Sequence, residues 1–126
     1  MKKGIRRFFS SLKFIWRHPL IKGERVKAFV RYFTFHITTR INNENIIIPF
    51  IEGTKINICR DMNGTSTNYF TYLSDFEEML FLLHFLRSGD VFYDIGSNVG
   101  TYTILAAGIV GCHTIAIEPV RETYEK

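Results

Sequence analysis

The sequence predicts an α/β chain whose last third opens a doubly wound parallel sheet. Three features carry this reading: the apolar run VFYDIG, the small-residue run TYTILAAGIV after it, and a second apolar run, HTIAIEP. Short apolar runs bounded by turn residues read as strands buried on both faces, and the order strand, helix, strand, helix begins a parallel sheet with crossover helices. An N-terminal helical hairpin and short β-strands precede it, so the chain divides into segments 1–41, 42–73 and 74–126.

The 126 residues, 46% hydrophobic and 15% aromatic, have the make-up of a globular domain and exclude a disordered or fibrous chain. Arg and Lys interrupt every hydrophobic run in the first forty positions, so no membrane-spanning helix is expected. The start MKKGIRRFF resembles the positive region of a signal peptide, but Lys13 and Arg17 break the apolar run and no cleavage site follows. The segment is therefore read as retained and cytoplasmic. Cys59 and Cys112 lack metal-ligand spacing and read as buried, reduced thiols; no metal site is expected.

Charge is divided unevenly. Residues 1–40 hold eleven Lys and Arg against Glu24 alone, a net +10, which leaves −6 on the remainder of a chain that is +4 overall. A segment so basic is suited to a negatively charged surface, whether membrane, nucleic acid or protein.

Ile5, Phe8, Phe9, Leu12, Ile15 and Trp16 recur at helical spacing, predicting an amphipathic helix that ends near Pro19. Val26, Phe29, Val30, Phe33 and Ile37 predict a second, from Glu24 to Thr38. Packing of these faces on the domain itself is the favoured reading; the alternative is a basic amphipathic helix lying in a membrane interface. From Asn42 to Tyr72 the runs IIIPFI, KINICR and NYFTY, separated by Glu52-Gly53 and Asn63-Gly64, predict two or three short antiparallel strands, with Pro49 at an edge. Ser74 to Glu77 reads as a capping box opening a largely buried helix that ends at Gly89, in which His84 is a packed or surface residue. Thr101 to Val110 is the crossover helix, stopped by Gly111, and Val120 to Lys126 opens another.

The candidate site follows from the sheet. In an open parallel sheet ligands bind beyond the carboxyl ends of the strands, where Asp94, Gly96, Ser97, Asn98, Gly100 and Thr101 follow the first strand and Glu118 ends the second. Gly96 and Gly100 allow close approach to the main chain. Glu118, 24 positions after Asp94, stands where a carboxylate accepts the hydroxyls of an adenosine ribose. The turn G-S-N-V-G is neither the G-x-G-x-x-G of a dinucleotide fold nor a Walker phosphate loop. What remains is D-x-G-x-N-x-G, a helix and a strand-ending Glu-Pro within one short unit.

With these motifs the chain resembles the class I S-adenosylmethionine-dependent methyltransferases, and within them the FkbM family, whose usual pattern is a hydrophobic triplet, D-x-G-A-N-x-G, a helix and E-P. The likeness runs from about Phe76 to Tyr124, with Ser97 in place of the common Ala. The family often carries a Glu some seventeen residues before the motif Asp, the position of Glu77 here, which competes with its capping role. The resemblance implies a Rossmann-like class I methyltransferase sheet, S-adenosylmethionine as cofactor, its methionine part on the loop Asp94 to Thr101, its ribose on Glu118, and O-methyl transfer to a sugar, glycan or small metabolite.

A seven-stranded methyltransferase needs more strands than 32 residues after Asp94 supply. The chain is therefore expected to be an N-terminal fragment or a truncated gene product, with an open sheet edge, weak or no cofactor binding, no activity alone and no catalytic residue to name. The competing function is a peripheral membrane or interaction module in which residues 1–40 meet an anionic membrane surface and the nucleotide fold is vestigial. Nucleic-acid binding is disfavoured, because the basic residues belong to apolar helical faces and no nucleic-acid module accompanies them.

Overall fold

The computed structural model describes residues 2–41, 46–58 and 65–125, which form a mixed α/β fold with two separate two-stranded sheets. Two helices, α1 (Lys2–Arg17) and α2 (Arg25–Ile41), form the N-terminal hairpin. His18 between them is extended, with φ −62° and ψ 131°, because the residue before a proline is barred from the helical region; a single 3-10 turn, Pro19–Ile21, follows. The helices meet through rings, Phe8 against Phe33 at 6.3 Å and Trp16 against Phe29 at 6.4 Å, which makes them antiparallel.

The apolar stripe predicted on α2 is not the stripe that the fold buries. Ala28, Tyr32, Phe35 and Thr39 face the core; of the predicted stripe Phe29 packs half-buried against it, whereas Val26, Val30, Phe33 and Ile37 are exposed. Both sets repeat at helical spacing, and only the shape of the neighbours decides between them. On α1, Ile15 is buried while Ile5, Phe9 and Trp16 are exposed.

Strands β1 (Ile46–Pro49) and β2 (Lys55–Ile58) pair antiparallel, from Ile46 opposite Ile58 to Pro49 opposite Lys55. Glu52 and Gly53 both have positive φ, 49° and 79°, and the Thr54 amide donates to the Ile51 carbonyl at 2.9 Å. The two positive φ values are those of a type I′ turn, and the Phe50 amide closes the hairpin on the Thr54 carbonyl at 2.9 Å. Pro49 sits at the end of its strand, as an edge residue should. Cys59 and the Asn63-Gly64 turn lie outside the described residues.

The third expected strand, NYFTY, is instead the end of a helix, α3 (Thr65–Thr71), with Tyr72 in the turn that follows. Its β-branched and aromatic residues cost a helix only a few tenths of a kcal/mol each, whereas burying Phe70 is worth about 1.5–3 kcal/mol. Phe70 packs 5.1 Å from the Tyr32 ring and 5.6 Å from Phe35, and tertiary packing outweighs propensity. The capping box at the next helix, α4 (Phe76–Phe85), also does not form: Asp75 is the cap position and makes no side-chain capping bond. The Ser74 amide donates to Oδ1 of Asn68 at 2.8 Å, so this turn is spent on fastening α3 to α4. The helix ends at Phe85, before Gly89, where Arg87 Nη1 donates to the carbonyls of His84, Phe85 and Leu86. Nor is α4 buried on most sides. Met79 and Leu82 are, but Phe81 and Phe85 are exposed and stack on each other, and His84 is at the surface.

Strands β3 (Val91–Ile95) and β4 (His113–Ile117) are parallel, with Asp94 opposite Ala116 and Ile95 opposite Ile117. Between them α5 (Thr101–Thr103) runs on in wide π-type turns over Ile104–Val110. Gly111, φ 80°, ends it as expected, and the Cys112 amide reaches back to the Ala106 carbonyl at 2.9 Å. The strands are not covered on both faces: Phe92 turns toward the packed side, while Val91, Tyr93, Ile95, Ile115 and Ile117 stay exposed. A short helix, α6 (Arg121–Tyr124), closes the described chain.

Two cores result. One gathers Ile15, Ile21, Tyr32, Phe35, Ile48, Ile56, Ile58 and Phe70 from α1 to α3; the other gathers Leu73, Met79, Leu82, Leu105, Ala106 and Cys112 from α4 to the crossover helix. Phe50 packs against both, and so does the segment after β3, through Val99 of the loop on the first and Tyr102 of α5 on the second. His18 adds a link: its buried ring meets the Leu73 carbonyl through Nε2 at 2.7 Å and packs edge-on to Phe76.

Candidate functional site

The loop after β3 is shaped by three residues with positive φ, Gly96 at 79°, Asn98 at 52° and Gly100 at 76°. L side chains rarely adopt this region, and Gly and Asn do so at least cost. A Cβ on Gly96 would meet nothing within 4 Å, so it is the backbone angle, and the clear approach to the main chain, that the glycine provides. The loop folds onto β4: the amides of Gly96 and Ser97 both donate to the Ile117 carbonyl, at 2.7 and 3.1 Å. The Gly100 amide closes a turn on the Ser97 carbonyl at 2.7 Å, and the Ile104 amide on the Gly100 carbonyl at 2.8 Å begins the helix.

Asp94 and Glu118 brace this loop from either side. Asp94 is buried at the end of β3, and its Oδ2 accepts the Thr103 hydroxyl at 2.5 Å, tying the strand to the helix across the loop. Glu118 follows β4, and its Oε2 accepts the Asn98 amide at 2.7 Å while its Oε1 accepts that of Val120 at 2.8 Å. The seven predicted residues are therefore brought together as one unit. An ionised carboxylate has about four acceptor positions, so Glu118 with two amides retains capacity for further donors.

Asp94, Gly96, Ser97, Asn98 and Thr101 line an open cleft of about 1270 Å³, whose other walls come from α1, α2, α3 and the start of α4. Gly100 and Glu118 are set back from this lining. Sequence reasoning missed Asn68, Asp75 and Tyr102, which do line it. Only the fold brings them near, since Asn68 belongs to a segment read as strand and Asp75 to one read as a cap. Burial pushes the Tyr102 phenol up to about 12, with the charges of Asp75 and Glu78 adding to it, so it keeps its proton through the neutral range and can act as a donor. Its hydroxyl lies 3.5 Å from Oδ2 of Asp75. Glu77, the other residue singled out, is exposed at the start of α4 and does not line the cleft.

Among the described residues no group of three or more His, Cys, Asp and Glu side chains is placed to hold a metal ion, and no helix is long and apolar enough to cross a membrane. Cys112 is buried and its thiol donates to the Arg87 carbonyl at 3.2 Å. No protein-family model matches the chain, and no curated protein and no solved structure matches it.

Proposed function

We propose that the chain binds S-adenosylmethionine on the loop Asp94 to Thr101 and Glu118, as part of a Rossmann-like class I methyltransferase of FkbM type, with O-methyl transfer to a sugar, glycan or small metabolite as its reaction. The observation that carries this reading is the bond from Glu118 to the Asn98 amide. It joins the acidic residue that follows β4 to the glycine-rich loop that follows β3, behind the wall of the cleft and beyond the carboxyl ends of two parallel strands.

The residues present fit the group. Gly96 leaves the main chain open to the ligand, and the free acceptor positions of Glu118 suit vicinal ribose hydroxyls. Asp94, Asp75 and Glu118 supply negative charge near a cofactor that carries a sulfonium and an ammonium. The cofactor itself supplies the electrophilic methyl group. What this chain contributes is alignment: a braced loop to fix the donor, and an open cleft beside it wide enough for an acceptor, where holding two reactants in line removes most of the entropic barrier. Tyr102, protonated at neutral pH, is a hydrogen-bond donor in that cleft and no base.

Titration with S-adenosylhomocysteine, followed by amide resonances of the chain, tests the reading. Saturable shifts are expected at Gly96 to Thr101 and at Glu118, and in Glu118→Ala they should need roughly ten- to a hundredfold more ligand. Shifts elsewhere, or none at millimolar ligand, would remove the cofactor from this site.

A further inference from the structure

The outward faces of α1 and α2 form one apolar surface with a basic rim. On α1, Ile5, Phe9 and Trp16 fall within about 40° of one another around the helix axis, at 100° per residue. On α2, Val26, Val30 and Ile37 do the same. All six are exposed, between 53% and 77%. The two stripes adjoin, because Phe8 touches both Phe9 and Phe33 and Trp16 stacks on Phe29. Beside the α1 stripe stand exposed Arg6, Lys13 and Arg17, and the Arg25 guanidinium lies 4.1 Å over the Trp16 ring. The single acid of residues 1–40, Glu24, is already engaged by Lys27 at 3.0 Å and by the Tyr72 hydroxyl at 3.1 Å.

We infer that this face docks on an anionic lipid bilayer, with the apolar residues entering the headgroup boundary and the basic rim on the lipid phosphates. The arrangement decides between partners. A nucleic-acid surface needs the positive charge at the centre of the contact, whereas here the centre is apolar and aromatic and the charge is peripheral. Long Lys and Arg side chains at such a rim reach the headgroups while their stems cover apolar surface. Each basic residue near an anionic surface strengthens partition about fivefold, and the effect is screened by salt. The inference rests on this surface and is independent of the cofactor reading.

Trp16 is the only tryptophan in the chain, so its fluorescence reports from the patch alone. The whole chain is to be sedimented with vesicles of phosphatidylcholine and phosphatidylserine, and with phosphatidylcholine alone. Binding is expected to the mixed vesicles, to weaken with salt, to shift Trp16 emission to shorter wavelength and to be quenched by brominated acyl chains. V26E with V30E, both exposed positions outside the cleft, should weaken binding at least about tenfold while leaving the far-ultraviolet circular dichroism unchanged. Should that variant misfold, the quenching of Trp16 in the unaltered chain still decides. No binding to the mixed vesicles, equal binding without phosphatidylserine, or binding that leaves Trp16 unquenched would overturn the inference. So would a concentration-dependent dimer, or retention of duplex DNA, that the same substitutions abolish in the absence of vesicle binding.

Discussion

The Glu118 carboxylate holds Asn98, 20 positions earlier in the chain, by a 2.7 Å bond to its amide, in a backbone conformation with φ of 52°. The loop is thus fixed by a residue of the next strand before any ligand arrives. Glu118→Ala should free the Asn98 and Val120 amides, seen as faster hydrogen exchange at both. Affinity for S-adenosylhomocysteine should fall by roughly 1.5–3 kcal/mol, the scale of bonds to a charged group. Glu118→Gln, with one acceptor oxygen kept, should fall between. Unchanged exchange at Asn98 would show that the bond does not order the loop.

Gly96 separates backbone strain from packing. Because a Cβ there meets open space, any cost of substitution comes from its φ of 79° alone. Gly96→Ala is expected to lower stability by about 1–2 kcal/mol in urea denaturation, and Gly96→Asn by less, since Asn tolerates the left-handed region. Equal losses for the two would point to some contact beyond the backbone.

The bond between Asp94 and Thr103 spans the loop beneath the site. Thr103→Val keeps the shape but deprives a buried carboxylate of a donor, and should cost about 1–3 kcal/mol. Thr103→Ser should restore most of it. A urea midpoint that Thr103→Val leaves unmoved would mean that Asp94 is satisfied without the hydroxyl.

His18 makes stability depend on pH. Burial holds its imidazole below its ordinary value of 6.5, the bond to the Leu73 carbonyl opposing only in part, so the neutral ring donates through Nε2. The unfolded chain then takes up the proton first as pH falls. The contribution of His18 is present above about 6.5 and is lost progressively below it. Thermal midpoints measured from neutral pH into the acid range should decline, and His18→Gln, which keeps a donor but cannot titrate, should flatten that decline. An equal slope in both proteins would assign it to other groups.

The sequence showed most of the architecture around the site, because strong local signals lie there. The φ demands of Gly96, Gly100 and Gly111, the proline after His18 and the Glu52-Gly53 turn are each set by one or two residues. What it could not show depends on neighbours. NYFTY has the composition of a strand, yet Phe70 is drawn into a helix by the pocket between Tyr32 and Phe35. On α2, two apolar stripes satisfy the same period, and the more hydrophobic one, with Val26 and Ile37, is exposed except at Phe29. Asp75 and Tyr102 reach the cleft only because α4 and the crossover helix pack together.

Val99 in the loop and Tyr102 in α5, three positions apart, anchor the loop and the helix it leads into to different cores. The loop is consequently a seam, and whatever grips it must couple the melting of the two halves. Phe50, Ile104 and His18 are further ties, and without a ligand the two halves are expected to lose structure in separate steps. With one bound, the free energy of binding is shared by both, and calorimetry should see two overlapping transitions sharpen into one.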